Sequence, residues 1–380
     1  MKQIIDMRNT LILSVTKKHV GGMYHALQSV KRSLKTFGIE SMLIENVSFF
    51  EYLKIFRSKK KHIIIWSLSH EASLLPLITS HIIGKKNVYF NHGVWHLESQ
   101  VSTWYELGPL SSLKRKIHYL VLQLKQFMML LFVSEVIHPS EYASQLFWNQ
   151  KLNRVLIASK KSVVLPLSVD RRKFTIKSLS IRKKIKNKYG ISSISKVILM
   201  LGRADNRKNI QDGLLVAKNL LKTRNNIQFL FVFATSEYSD YSYVSYLSKK
   251  IDELHIGKNV KLITGLSVEE IPEVYQIADV FLVLPIHSEM FGLTTLESLY
   301  SGTPVFGYHS AATPEIIRES TNKYLVSAGC INDLAAKVEN YLYSTSEKDQ
   351  EKTRKEISKN AMRNFNDVKI AEELRKYFSL

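Results

Sequence analysis

The sequence predicts an α/β protein made of two doubly wound, Rossmann-like domains. Three observations predict it. Short, unbroken apolar runs alternate with amphipathic helical stretches, the pattern of strands buried on both faces of a parallel sheet. The alternation stops near residue 170 and restarts near residue 197. Each half follows its first strand with a glycine-bearing turn, at Gly21-Gly22 and at Gly202, where doubly wound sheets bind ligands. The 380 residues are long enough for two domains with sizeable cores.

The first half opens with a strand over Thr10–Val15, then a helix over Met23–Phe37 that Gly38 stops. Strands are expected at Met42–Ile44, Ile63–Trp66 and Val88–Phe90. A long helix from Leu113 to about Met129 and a strand near Phe132–Ile137 follow. The second half repeats the pattern. Strands are expected at Val197–Leu201, Gln228–Phe233, Val260–Ile263, Val280–Leu284 and Pro304–Phe306. Helices fall at Asn209–Leu221, Tyr243–Leu254, Val268–Ile277 and Thr295–Ser301. We therefore place one domain at 1–175, a basic linker at 176–190 and a second domain at 191–360. A C-terminal helix over 361–380 is expected to pack back on the first domain. The tail from Ser346 reads as helical and solvated.

Charge separates the halves. The chain carries a formal +21. Residues 1–190 hold 31 Lys and Arg against 10 Asp and Glu, whereas residues 191–380 hold 23 of each. A basic module and a neutral one imply different partners. The excess is spread over several loops, with no zinc spacing and no aromatic-basic RNA motif, so no nucleic-acid partner is expected. One cysteine, Cys330, cannot form an internal disulfide, which fits a reducing compartment. The first apolar run, Leu11–Val15, is too short for a signal core or a membrane span.

Two constellations carry chemistry. Gly202-Arg203 follows the strand Val197–Leu201 directly, and Arg207-Lys208 precedes the next helix. Cations beside a helix N-terminus suit a phosphate, although basic loop residues are also simply solvated. The second is Ser288–Glu297, with Glu289 and Glu297 eight apart across a turn containing Gly292. Glu289 is a loop carboxylate able to accept bonds from sugar hydroxyls. Thr294 and Glu297 also fit the capping pattern S/T-x-x-E, so Glu297 either binds a ligand or closes the helix start.

The stretch Ala278–Ile317, ADVFLVLPIHSEMFGLTTLESLYSGTPVFGYHSAATPEII, resembles the signature of the retaining glycosyltransferase family 4 (glycosyl transferases group 1). Glu289 and Glu297 match its E-x7-E element. Gly202-Arg203…Lys208 matches its diphosphate-binding pair, and Gly21-Gly22 its N-terminal glycine turn. Asn91-His92-Gly93 resembles its cleft histidine. His138-Pro139-Ser140 and Pro166–Asp170 fall where members carry comparable stretches. The resemblance is dense over residues 197–320. It implies the GT-B fold, two Rossmann-like domains facing across a cleft, with the acceptor on the first and a nucleotide-sugar donor on the second.

It also implies roles. Arg203 and Lys208 would neutralise the diphosphate leaving group, and Glu289 would hold donor-sugar hydroxyls. Glu297 would bind the nucleotide ribose. Backbone amides around Met290, Phe291, Gly292 and Leu293 would reach sugar or phosphate, Gly265 and Leu266 would flank the base, and His92 would contact the sugar; a structural histidine is the alternative there. The sequence departs from the pattern at three places. Ala234-Thr235-Ser236 replaces a Gly-x-Gly, Ala311-Ala312 replaces a glycine pair, and Asn209 replaces a glycine, where it is expected to serve as an N-cap.

The expected activity is retaining, metal-independent transfer of a sugar to a glycan or lipid-linked acceptor, as in bacterial surface polysaccharide or lipopolysaccharide synthesis. The sequence holds no metal-binding D-x-D triplet, and no cofactor is expected. Lipid-linked acceptors are common among bacterial relatives, which implies a cytoplasmic protein peripheral on the inner face of the cell membrane. The helix that opens with Lys114-Arg115-Lys116 either lies in an anionic bilayer interface or is buried under the sheet. A GT-B sugar-nucleotide epimerase, or a non-catalytic basic protein binding glycan or nucleic acid, is the alternative.

Overall fold

The computed structural model describes residues 10–16, 22–36, 41–45, 62–67, 77–82, 84, 87–91, 109–204, 206–233, 241–286, 289–318 and 322–378. The chain divides into two compact units, one of residues 1–168 with 365–380, the other of residues 169–364.

Unit 1 holds six parallel strands, β1 (Thr10–Thr16), β2 (Ser41–Glu45), β3 (His62–Ser67), β4 (Asn87–Phe90), β5 (Glu135–His138) and β6 (Lys161–Val164), in the order β2-β1-β3-β4-β5-β6. Its described helices include α1 (Gly22–Lys35), α2 (Pro109–Phe132) and α3 (Glu141–Trp148). Strand β4 is buried along its whole length, as a strand covered on both faces must be. Ser140 caps α3 through its hydroxyl, which accepts from Ala143 N at 3.0 Å. Helix α2 is anchored at its far end. Asn87 Nδ2 donates to Phe132 O at 2.8 Å, and Lys160 Nζ donates to Val133 O at 2.7 Å.

Unit 2 begins with α4 (Leu179–Lys188) and holds β7 (Lys196–Gly202), α5 (Ile210–Leu221), β8 (Ile227–Phe233), α6 (Tyr241–Glu253), β9 (Val260–Thr264), α7 (Ile271–Ile277), β10 (Val280–Val283), α8 (Leu293–Tyr300), β11 (Val305–Tyr308), β12 (Leu325–Val326), α9 (Ile331–Ser344) and α10 (Glu347–Asn364). Its sheet is parallel in the order β12-β11-β10-β7-β8-β9. Leu214, Phe229, Phe231, Leu247, Phe306 and Val338 share one core on the face covered by α5, α6 and α9.

Two sequence expectations change here. The segment 176–190 is not a linker. Most of it is α4, in which Arg182 and Lys186 are each only 8% exposed. Arg182 reaches Asp279 at 3.5 Å and Glu351 at 2.7 Å, and Lys186 Nζ donates to Ser195 O at 2.7 Å. The tail is also not merely solvated. Helix α10 packs on α8, and its Arg354, 2% exposed, donates to Ala278 O at 2.9 Å. The tail then breaks, and α11 (Asp367–Phe378) packs on α1. Asp367 ties this return to unit 1, accepting from the Ser168 hydroxyl and from Arg32 Nε.

Candidate functional site

The order of the second sheet fixes where a site can form. From β7 the chain moves outward to β8 and β9, then crosses back so that β10 lies on the other side of β7. The loops leaving the carboxyl ends of β7 and β10 therefore diverge, and the crevice between them is where an open parallel sheet receives a ligand. Both sequence constellations leave from this point. The β7 loop carries Arg203 and Lys208, and the β10 loop carries Glu289.

The two loops meet in one contact. Lys208 Nζ donates to Glu289 Oε2 at 2.5 Å, with both side chains about one-fifth exposed. Gly202 makes room for it. A Cβ there would lie 2.7 Å from Lys208 Cε, so any larger residue would make the lysine stem shift from its course across the end of β7. Arg203 stands one residue beyond the strand and is half-buried.

Asn209 follows with φ 50, in the left-handed region, and opens α5. Its side chain does not cap the helix, contrary to expectation. Instead Nδ2 donates to Asp212 Oδ2 at 2.6 Å, and Tyr308 from the end of β11 donates to the same oxygen at 2.6 Å. Burial and the Asp212 carboxylate push the Tyr308 hydroxyl above its ordinary range, so it remains a donor. This small network holds a non-glycine residue in a conformation that glycine adopts freely.

On the other loop, Gly292 has φ 87 and is the N-cap of α8. It has no capping side chain, so the amides at the helix start carry the positive end of the dipole without a competing oxygen. Met290 and Phe291 bury their side chains at 6% and 4% exposure, which leaves their backbone as what they can offer a ligand. Thr295, 1% exposed, has a hydroxyl without a hydrogen-bond partner beneath Gly292.

Glu297 is not part of a capping box, because the cap lies at Gly292 and Thr294 is inside the helix. Its Oε2 accepts from the Tyr275 hydroxyl at 2.9 Å. Burial pushes its carboxyl up to about 7, against the opposing pull of the Tyr275 hydrogen bond and the Lys208 charge. Burial and Glu297 likewise raise Tyr275, which stays protonated.

Gly265 and Leu266 follow β9, at the same carboxyl end but two strands from β7. Ala311 adopts φ 51 at one of the two alanines that replace glycines, and Ala312 N donates to Glu289 O at 3.2 Å. His92, Gly21, Ser288 and Ala234-Thr235-Ser236 lie outside the described residues. Gly22 opens α1, and Asn91, just before His92, donates through Nδ2 to His138 Nδ1 at 3.1 Å. Sequence reasoning missed Tyr275, Asp212 and Tyr308, which have no local signature and reach the site only through the fold.

The arrangement offers one exchangeable cation, one exchangeable carboxylate and a free helix start at a single switch point. Residues 181–364 match the family described as glycosyl transferases group 1. The chain is 31% identical over 179 residues to the alpha-monoglucosyldiacylglycerol synthase of Streptococcus pneumoniae, covering 46% of this chain and 37% of that protein. It is 22% identical over 250 residues to spore coat protein SA of Bacillus subtilis, covering 64% of each. The chain thus spans less than two thirds of either relative. Among solved structures, Anabaena Alr3699/HepE in complex with UDP-glucose matches with a TM-score of 0.73 at 18% identity, covering 97% of this chain and 99% of that one. The sucrose-phosphate synthase of Thermosynechococcus elongatus matches with a TM-score of 0.76 at 15% identity, covering 97% and 98%. These likenesses show the fold, GT-B. It is the domain at residues 181–364 that is similar to the glycosyl transferases group 1 family.

Proposed function

We propose that this glycosyltransferase moves a sugar from a nucleotide diphosphate donor to a glycan or lipid-linked acceptor, with retention and without a metal. The observation that carries the reading is the Lys208–Glu289 contact at the switch point between β7 and β10. It sets a cation for the diphosphate against a carboxylate for the sugar, so one donor engages both. The complex of Alr3699/HepE with UDP-glucose supports a uridine donor. The name of the streptococcal relative supports a lipid acceptor, and with it a peripheral place on an anionic cytoplasmic membrane surface in the making of surface glycans.

In the reaction the bond from the anomeric carbon to the phosphate oxygen breaks, and the nucleoside diphosphate leaves with the electron pair. The acceptor oxygen bonds to the same face of the sugar, and its proton passes to the departing phosphate. Negative charge grows on that phosphate in the transition state. Lys208, Arg203 and the start of α8 stabilise it there more than in the ground state. Glu289 accepts from the sugar hydroxyls and orients the ring. Glu297, ionised once the nucleotide arrives, accepts from the ribose.

The test is transfer from UDP-sugars with Lys208→Ala. By analogy with removal of one transition-state hydrogen-bond donor, kcat falls about 10²–10³-fold. The variant keeps the circular dichroism of the parent, and chelator leaves the parent's rate unchanged. Near-normal turnover by Lys208→Ala would remove the lysine from the reaction.

A further inference from the structure

Helix α2 is apolar on two opposite faces. One face is packed: Gln126, Met129 and Leu130 are at most 1% exposed, as is Val133 just beyond the helix end. The opposite face is bare. Ile117 and Leu120 are each 54% exposed, Met128 47%, Leu124 45%, and Val121 and Leu131 40% each. At about 100° per residue these six fall within an arc of about 100° centred opposite Gln126. A stripe of that length left in water is a docking surface rather than scattered surface hydrophobicity.

The charges identify the occupant. Helix α2 has no acidic residue. Lys114 and Lys125 border the stripe on one side and Lys116 on the other, and all three are exposed. An apolar stripe flanked by cations on both sides fits the boundary between acyl chains and anionic head groups. A second copy of the helix fits it worse, since pairing two acid-free cationic helices supplies no counter-charge. No described helix is long and apolar enough to cross a membrane, and α2, held by Asn87 and Lys160 at its far end, presents this face from a fixed base.

We propose that the outward face of α2, centred on Leu120, Leu124 and Met128, is the surface by which the protein docks on anionic bilayers, lying in the interface plane. The proposal rests on the membrane reading of the acceptor and assigns the face that carries it. The full chain is tested by co-sedimentation with vesicles of phosphatidylglycerol and phosphatidylcholine, and with phosphatidylcholine alone. The parent binds the anionic vesicles, more weakly as salt rises, and binds the neutral ones far less. The triple variant Leu120→Ser, Leu124→Ser, Met128→Ser lowers the partition constant about 100-fold, with melting temperature and UDP binding unchanged because all three side chains already face solvent. In a separate Leu124→Trp variant, the tryptophan at 124 is quenched by brominated lipids.

Equal binding by the triple variant, or no quenching at position 124, overturns the face while the membrane reading stands. Absence of parent binding to anionic vesicles overturns both. A dimer of the parent that the triple variant abolishes, without vesicle binding, assigns the face to a second copy and overturns the proposal.

Discussion

Replacing Glu297 with glutamine tests the electrostatics of the site without breaking its geometry, because the glutamine oxygen can still accept from Tyr275. Burial raises the Glu297 carboxyl from 4.5 to about 7 in the folded chain. Between those values the unfolded chain has released the proton and the folded chain keeps it. The folded state therefore binds more protons, and its stability falls as pH rises through the window and levels off above it. The shift of about 2.5 units is worth about 3 kcal/mol at roughly 1.4 kcal/mol per unit, a ceiling because the carboxyl is partly exposed and solvent screens it. Glu297→Gln removes this contribution. Only well below pH 4.5 do the two proteins have equal slopes with pH; the slopes diverge through that pH, and by pH 7.5 the variant has gained up to about 3 kcal/mol on the parent. The assay is urea unfolding of nucleotide-free protein from pH 4.5 to 8. All four tryptophans lie in residues 1–168. Tryptophan fluorescence therefore follows unit 1, and circular dichroism adds unit 2, where the difference must appear. A difference between parent and variant that does not change with pH refutes the reasoning. If the proposed ribose contact recruits the ionised carboxylate, the same shift predicts that nucleotide binding releases about half a proton at pH 7. Calorimetry in buffers of different ionisation enthalpy reads this directly.

Two further perturbations address what holds the loops in place. Asp212→Ala strands the donors of both Asn209 and Tyr308 and is expected to weaken UDP affinity about 10-fold, on the scale of a hydrogen bond to a charged group. Adding Asn209→Gly to that variant recovers most of the loss in a binding titration, since glycine adopts the left-handed turn unaided; no recovery would assign the loss to Asp212 itself. Gly307→Ala places a Cβ 1.8 Å from Val283 O across the β10–β11 pair, so it is expected to lower the stability of unit 2 by about 3 kcal/mol or more. A melting curve for Gly307→Ala that overlays the parent's would contradict the close approach of these strands.

What the sequence made legible depended on the range of the interaction. Val197–Leu201 reads as a strand because a run apolar on every position suits only a sheet covered on both faces, and the strand is there. Lys208 and Glu289 are legible because each sits in the loop after such a strand, and loop position is a local property. Their contact is not, since it depends on β10 crossing back to lie beside β7. The basic run around Arg182 misled for the same reason. A cluster of cations without nearby acids reads as solvated, yet its counter-charge is Asp279, almost a hundred residues on. The capping pattern at Thr294 and Glu297 was locally valid and still lost. Gly292, with φ 87, starts the helix two residues earlier, which puts Glu297 inside the helix and free to face Tyr275.

The Lys208–Glu289 pair also changes how the site should be understood. Both side chains are about four-fifths covered, so each would carry a desolvation cost if left alone. Pairing them offsets that cost and holds both groups at the crevice. On the function proposed above, a donor does two things together: its diphosphate takes the place of the carboxylate beside Lys208, and its sugar hydroxyls take the place of the ammonium beside Glu289. A free nucleoside diphosphate does only the first and leaves Glu289 close to a second anion. The exchange therefore discriminates in favour of the intact donor and, once the sugar has left, lets the carboxylate reclaim the lysine and help expel the product. Lys208→Ala should therefore cost as much as losing a transition-state donor, about 10²–10³-fold in kcat, rather than only an ordinary hydrogen bond. The substitution removes the cation and leaves Glu289 as an unpaired, partly buried charge facing the phosphate it was meant to accompany.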